Sequence, residues 1–481
     1  MVDFRPIAYV IGILLSTLAV GMALPMLVDL YYGNSDWKVF FLCILTTAFF
    51  GGVLVLSNTG DSLVINTRQG FLMITLSWGV LSLFAALPFW FSTIGLSFTD
   101  AIFESVSGIT TTGSTVIVGL DYAPPGILLW RAILQWLGGI GIILMALSVM
   151  PFLKVGGMQL FRTELSENEK ALPRTAQFAN TIGWIYVVLT LICAVAYHLT
   201  GMSIFDAFAH AMTTISTGGF STYDTSFSHY DTPWTEMVAI TFMIVGSLPF
   251  ILYLKAMKGS LHSLINDSQV RWFLSILALS TFILFLVLLW HTPMGGSKAL
   301  IKSAFNATSI MTGTGFVSDD YQQWGGFAMS LFFFLMVVGG CAGSTTCGIK
   351  IFRFQVLYAV TNIQFKKLLH PHGVFIPHYG SKPIPEGVPS AVMSFFFMYA
   401  LCFALLAMAL SFVGLDFLTA MSGAATGISN VGPALGDIIG PAGNFQPLPD
   451  SAKWILSAGM LLGRLELFTV LVMFSPNFWR R

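Results

Sequence analysis

Residues 100–116 read DAIFESVSGITTTGSTV, and the same design returns three times along the chain. It recurs as DAFAHAMTTISTGGFST at 206–222, KALIKSAFNATSIMTGTGFVS at 298–318 and DFLTAMSGAATGISNVGPALG at 416–436. Each stretch is an amphipathic run that passes through Ser and Thr into glycine. Aligned on that pattern, Gly113, Gly218, Gly315 and Gly432 come into register. In the first three, the glycine lies ten residues after a phenylalanine (Phe103, Phe208, Phe305). One such cluster reads as a turn or a helix end. Four in register, spaced by roughly 100 residues or more, mark an internal repeat that outweighs any single motif.

The rest of the chain says where such a repeat can live. Of 481 residues, 56% are hydrophobic and only 9% are charged, against roughly a quarter charged in soluble domains. Phenylalanine alone supplies 43 residues, and the mean hydropathy is +0.80. Such a chain cannot coat a soluble body with charge, which excludes a soluble enzyme. The 22 basic residues balance the 22 acidic ones, leaving no net field for nucleic acid. Cys43, Cys193, Cys341, Cys347 and Cys402 have neither zinc-ligand spacing nor disulfide-scaffold density. The solvent is a lipid bilayer.

A helix needs about 20 apolar residues to cross it. Candidate spans lie near 7–28, 37–56, 70–91, 127–150, 180–199, 235–254, 272–290, 326–361, 389–412 and 453–474, ten in all. The first is too long for a signal-peptide core and lacks a cleavage site, so it is expected to stay in the mature chain. Lys and Arg collect at 151–177 (Lys154, Arg162, Lys170, Arg174), at 255–271 (Lys255, Lys258, Arg271) and at 350–388 (Lys350, Arg353, Lys366, Lys367, Lys382). The stretches 201–233 and 413–452 carry none. By the positive-inside rule the basic segments and both termini face the cytoplasm, which an even number of spans allows.

The expected fold is therefore an all-α integral membrane protein with about ten transmembrane helices and four re-entrant pore helices in pseudo-fourfold arrangement. The parallel units, each span, pore helix, span, are placed at 67–152, 178–258, 270–362 and 388–481. A two-helix hairpin at 1–66 stands outside them. Inverted-repeat carriers would instead show opposite topology in their halves.

Irregular backbone at membrane depth is tolerated where it lines water or is buried in protein. Four such segments meeting on an axis can replace an ion's hydration shell with carbonyl oxygens. Glycine leaves the carbonyl unobstructed and reaches conformations closed to other residues. The short helices would aim their negative C-terminal ends at the pore centre. Asp100, Asp206 and Asp416 are expected to cap their starts; the third unit has Ser297 and Lys298 there instead.

The clusters TTTGSTV, STGGFST, TGTGF and SNVGPALG resemble the four filter segments of the Trk/Ktr/HKT superfamily of potassium transporters, nearest to its bacterial TrkH/TrkI-type subunits. LLWRAILQWLGGIGIILMAL at 128–147, VVGGCAGSTTCGIKIFRF at 337–354 and GRLELFTVLV at 463–472 look like further family signatures. The resemblance covers nearly the whole chain. It implies uptake of K+, with Rb+ accepted, through a single-file filter formed by Thr111, Thr112 and Gly113; Ser216, Thr217 and Gly218; Gly313, Thr314 and Gly315; and Asn430, Val431 and Gly432. Sodium-preferring plant relatives carry serine at the first glycine position, so Gly113 favours K+. The run is not a full TVGYG, which implies fewer stacked sites and modest discrimination against Na+. The resemblance also implies a cytosolic TrkA-type nucleotide-binding ring as regulator, bound at 151–177 and 350–388, a homodimer, and location in the cell (inner) membrane.

Two features point to a gate. Within 339–348, Gly339, Gly340, Gly343 and Gly348 stand with Ser344, Thr345 and Thr346. Each glycine costs up to about 1 kcal/mol against alanine in a helix, so an unwound loop is expected. A tight helix crossing is the alternative reading. In the resembled family this loop obstructs the pore and moves on gating. Arg464 lies inside LSAGMLLGRLELFTVLVMF, where a cation costs roughly 2.5–3.5 kcal/mol or more and must face a cavity or a partner. Glu466 is a poor partner, since residues two apart do not share a helix face. Pore-helix carbonyls or the intramembrane loop can serve instead, and a salt bridge to another helix is the structural alternative. The resemblance places the equivalent arginine at the constriction, where its charge opposes a passing cation. Glu104 can either tune the field at the entrance or anchor the first short helix. His370, His372 and His378 read as solvated loop residues, and Cys341 and Cys347 as packing rather than metal ligands.

No GxxxxGK[ST] or DKTG stretch occurs, so neither an enzyme nor an organic cofactor is expected. Membrane potential suffices to drive accumulation. At about 2.3 kcal/mol per 100 mV, an interior near about −150 mV supports K+ gradients on the order of several-hundred-fold. The rival readings are the K+-translocating subunit of an ATP-driven pump, whose larger soluble loops are missing, and a sodium- or proton-coupled solute carrier. The carrier would show inverted repeats and paired intramembrane carboxylates.

Overall fold

The structure, a computed structural model, describes residues 3–60, 66–148, 157, 173–230, 232–260, 262–380 and 382–480. Most of segment 151–177 lies outside them. The chain opens with a hairpin of α1 (Arg5–Tyr32) and α2 (Trp37–Ser57). The two helices touch through small residues: a methyl placed on Gly12 would lie 2.8 Å from the Gly51 carbonyl oxygen. Two buried carboxylates key this hairpin onto the body of the protein. Asp29 Oδ1 accepts Gly126 N at 2.7 Å, and Asp36 Oδ2 accepts the Thr93 hydroxyl at 2.8 Å.

The body consists of four units, each with a short helix between longer ones. The first has α3 (Thr67–Ala85), α4 (Leu87–Phe91), α5 (Phe98–Ile109) and α6 (Pro125–Ser148). The second has α7 (Pro173–Leu199), α8 (Ile204–Ile215), α9 (Pro233–Ser247) and α10 (Phe250–Met257). After α11 (His262–Asn266), the third has α12 (Ser268–His291), α13 (Gly296–Met311), α14 (Gly326–Val337) and α15 (Ile351–Leu369). The fourth has α16 (Val388–Phe412), α17 (Phe417–Ser429), α18 (Asp450–Arg464) and α19 (Phe468–Leu471), ahead of α20 (Pro476–Trp479). A two-residue strand pair, His378–Tyr379 with Lys382–Pro383, closes a turn.

Among the described residues, seven helices are long and apolar enough to cross a membrane unbroken. Three of the ten expected spans are not straight. That at 235–254 bends by 92° between α9 and α10, and that at 453–474 bends by 103° beyond α18. The first bend falls at Leu248–Pro249, where a proline lacking its N–H caps the new helix. The second falls at Glu466 and Leu467, both with positive φ. The span at 326–361 is broken outright between α14 and α15. In the second and fourth units the bend follows a glycine packed on a short helix's end, Gly246 against Ile215 O and Gly463 against Ile428 O.

The helix caps correct one expectation. Ser97 and Ser203, not Asp100 and Asp206, cap α5 and α8. The aspartates sit three residues further on, where their amides donate to those serines. Asp416 is itself the cap of α17, and Gly295 precedes α13. Lys350 and Arg353, expected in an exposed basic segment, are buried.

Polar ties close the units into a ring. Arg131 Nη1 of the first donates to Ser221 O of the second at 2.6 Å. Lys302 of the third pairs with Glu236 of the second at 2.6 Å. Gly436 N of the fourth donates to Gln322 Oε1 of the third at 2.6 Å. Lys453 of the fourth pairs with Asp100 of the first at 2.5 Å.

Candidate ion-conduction site

The four short helices end alike. The first residue in the left-handed region is Thr111 (φ 53°), Thr217 (50°), Gly313 (69°) or Asn430 (53°). The next amide turns back onto the helix: Thr112 N to Ser107 O at 2.9 Å, Gly218 N to Thr213 O at 2.8 Å, Thr314 N to Ser309 O at 2.9 Å and Val431 N to Thr426 O at 3.2 Å. A glycine with positive φ comes next: Gly113 (88°), Gly219 (79°), Gly315 (81°) and Gly432 (109°). L-residues seldom reach these values, so glycine is required.

In the second unit this register runs one residue later than the ten-residue spacing predicts. Gly219, not Gly218, is the partner of Gly113. The spacing misleads because Phe208 is 44% exposed, whereas Phe103 and Phe305 are fully buried; Ala209 takes the buried place.

The segments meet in a closed cycle. A methyl on Gly113 would lie 2.3 Å from Gly218 O, and one on Gly219 would lie 1.7 Å from Thr314 O. One on Gly315 would lie 2.1 Å from Val431 O, and one on Gly432 2.8 Å from Thr112 O. Each unit thus sets a carbonyl against the glycine of the unit before it, first to second to third to fourth to first. Thr112, Gly218, Thr314 and Val431 contribute equivalent oxygens. Thr111, Ser216, Thr217, Gly313 and Asn430 form the buried layer toward the helix ends. Asn430 Nδ2 reaches Thr112 Oγ1 at 2.9 Å. The donors here are main-chain oxygens. Among the described residues no group of three or more His, Cys, Asp or Glu is placed to hold a metal ion.

Side chains from the short helices prop these segments from behind. Ser107 Oγ donates to Ser114 O and Ser309 Oγ to Phe316 O, both at 2.6 Å. One position, five residues before the last equivalent helix residue, carries Glu104, His210, Asn306 and Gly423. Glu104 accepts Val116 N at 2.9 Å and the Thr115 hydroxyl, and pairs with Arg131 at 2.8 Å. It anchors. His210 lies 3.0 Å from Ser221 Oγ, and Asn306 Nδ2 donates to Ser318 Oγ at 3.0 Å. Arg131, Gln135 and His210 escaped the sequence reading. Arg131 carried the same signal as Arg464, a cation within an apolar run.

The non-helical stretch between α14 and α15 packs against this layer. It is pinned by Gly339 N to Ile349 O and Ile349 N to Val337 O, each 3.0 Å. Gly343 and Gly348 have positive φ, and a methyl on Gly339 would lie 1.9 Å from Cys347 O. Gly340 O accepts Ile351 N, and Ser344 Oγ lies 2.8 Å from Thr346 Oγ1. Thr345 Oγ1 donates to Gly246 O at 2.9 Å and lies 3.1 Å from the Thr217 hydroxyl. Cys347 Sγ lies 4.0 Å from Thr111 Oγ1.

Arg464 joins this stretch to the first unit. Its Nη1 donates to Thr345 O at 3.2 Å and lies 2.5 Å from Cys347 Sγ; its Nη2 donates to Gly138 O at 2.8 Å. Among the described residues its Nε has no hydrogen-bond partner. Glu466 points elsewhere, to Arg353 Nη2 at 2.5 Å.

The model of the TrkH family, described as a cation transport protein, matches residues 37–481. The chain is 45% identical to Trk system potassium uptake protein TrkI of Halomonas elongata, over 99% of this chain and 97% of the relative. It is 38% identical to Trk system potassium uptake protein TrkH of Salmonella typhimurium, over 99% of both. The crystal structure of the potassium transporter TrkH from Vibrio parahaemolyticus matches with a TM-score of 0.93 at 36% identity, covering 100% of both chains. Fold and likeness together define a helical membrane transport protein, not an enzyme. The chain belongs to the TrkH family of cation transport proteins.

Proposed function

We propose that this protein carries K+ into the cell through a central pore whose filter is the ring of Thr112, Gly218, Thr314 and Val431 carbonyls, with Thr111, Thr217, Gly313 and Asn430 beneath it. The cyclic approach of each carbonyl to a neighbouring unit's glycine carries the reading. Oxygens so arranged can stand in for the hydration shell of a monovalent cation. Units at 67–152, 178–258, 270–362 and 388–481 build the pore, and the hairpin 1–66 buttresses the first. The stretch 339–348 and Arg464 form the gate. They span from the second unit to the fourth directly against the filter residues Thr111 and Thr217. A cytosolic TrkA-type nucleotide-binding ring acts on the gate from the cytoplasmic side, and the protein works as a homodimer in the inner membrane with both termini in the cytoplasm. The likeness to Trk system potassium uptake proteins supports the ion and the existence of a multi-part system.

The test is Rb+ uptake in a host stripped of its K+ importers. Gly113→Asp, Gly219→Asp and Gly315→Asp each abolish uptake while leaving the protein in the membrane. Retained uptake in all three variants rejects the filter.

A further inference from the structure

We infer that Gln135 fixes the second segment's oxygen in the carbonyl ring, and so governs how well the pore separates K+ from Na+; this rests on the filter assignment above. Gln135 lies on α6, three residues before Gly138, and is fully buried. Its Nε2 donates to Gly218 O at 2.5 Å, and its Oε1 accepts Phe220 N at 3.0 Å. A carbonyl only accepts and a peptide N–H only donates, so these two partners dictate which end of the carboxamide faces which. The side chain stands beside residues 218–220 as a neighbouring strand would, holding the groups on both sides of Gly219.

Three observations make this more than packing. First, Gly218 O is a member of the ring itself. Among the described residues, the equivalent oxygens of Thr112, Thr314 and Val431 receive no side-chain donor. Second, the contact explains a feature of the sequence that backbone conformation leaves unexplained. The other units carry Thr112, Thr314 and Val431 at this register, and φ at residue 218 is not positive. Yet a methyl on Gly218 would lie 2.4 Å from Gln135 Cδ and 2.9 Å from its Cβ. The doubled glycine of STGGF is the imprint of Gln135. Third, two consecutive glycines are the most deformable backbone in the ring, and the Gln135 carboxamide holds them at both Gly218 O and Phe220 N.

A carbonyl oxygen has two lone pairs. Gln135 occupies one and leaves the other for the ion. Discrimination between K+ and Na+ depends on the placement and field of the coordinating oxygens. Once unclamped, the 218–219 peptide can follow a smaller ion inward, and Na+ gains more than K+. Gln135 is a positioning residue, acting through Gly218.

The test compares Gln135→Met and Gln135→Ala with the intact protein, reading the Rb+ KM, the maximal rate and the ability of Na+ to compete for uptake. Losing one hydrogen bond of ordinary net strength raises the KM and the effectiveness of Na+ by about five- to tenfold, with a smaller change in maximal rate. Gly218→Ala pushes the same contact apart and gives the same signature. The double variant Gln135→Ala with Gly218→Ala is no worse in selectivity than either single variant, since both break one interaction. Competition is a ratio, so it is read from whatever folded protein reaches the membrane. Wild-type KM and Na+ competition in both Gln135 variants overturn the inference, as do additive losses in the double variant. If the Gly113, Gly219 and Gly315 variants also keep full uptake, the filter itself is wrong; if they lose it, only the role of Gln135 falls.

Discussion

Arg464 shows how much of a single residue's setting can be read from its sequence. Its place in an apolar run announced a buried cation, and its partners prove to be backbone oxygens and a thiol, with no carboxylate among the hydrogen-bonding groups of the described residues. The charge therefore stays available to oppose a cation. At a separation of about 10 Å and an effective dielectric of about 20, a fixed unit charge raises a passing ion by about 1.7 kcal/mol, more than tenfold in flux. Arg464→Gln should raise Rb+ flux of the purified, reconstituted protein without any regulator by about that factor; an unchanged basal flux removes the residue from the gate. Arg353 sits in a similar setting with the opposite outcome. It looked like a member of a solvated basic stretch, yet it is buried against Glu466, with its guanidinium 3.7 Å from the Phe395 ring. No count of charges along a chain separates these two arginines, because the distinguishing carboxylate comes from another unit.

Among the elements, the four short helices were written plainly in the sequence, since Ser, Gly or Asp stands at each start and a Ser, Thr and Gly cluster follows each run. The break after α14 was equally plain, from four glycines in ten residues. The bend after α9 carried a signal in Pro249 that the span reading did not use; the bend after α18 carried none. The stretch Leu465, Glu466, Leu467 has an ordinary helical composition, and its positive φ values of 59° and 41° are sustained by tertiary contacts such as Glu466 with Arg353. The one-residue shift in the second unit was hidden for the same reason: a phenylalanine that faces outward mimicked the spacing of two that face inward. The caps give an elementary test. The Thr419 hydroxyl and amide hold the Asp416 carboxyl below its ordinary range. A lowered folded value means that the stabilisation is complete above the ordinary carboxylate pKa and fades as pH falls through the lowered one. Asp416→Ala should therefore cost about 0.5–2 kcal/mol at neutral pH, seen as a lower thermal midpoint in detergent. The gap should narrow as pH falls below the ordinary carboxylate value and close once it is below the lowered one, where the wild-type carboxyl is protonated as well. A gap that persists unchanged in acid would contradict the capping role.

At the scale of the whole molecule, four sequence-distant units close on one another through Arg131 with Ser221, Lys302 with Glu236, Gln322 with Gly436 and Lys453 with Asp100. Fourfold repetition in the sequence anticipated the arrangement, because parallel units with equivalent apolar faces can bury them only around a common centre. It could not anticipate the ties, which differ in chemistry at each junction. Nor could it reveal that the hairpin is held to the first unit by buried Asp29 and Asp36. This asymmetry within a symmetric plan is where Gln135 acts, on one oxygen of four. The most direct test of the whole account is to locate Rb+ by anomalous scattering in crystals of the protein grown in Rb+ alone. The account predicts a peak enclosed by the carbonyl oxygens of Thr112, Gly218, Thr314 and Val431, with all four units contributing. A strong peak elsewhere along the chain, with none among those oxygens, would contradict it.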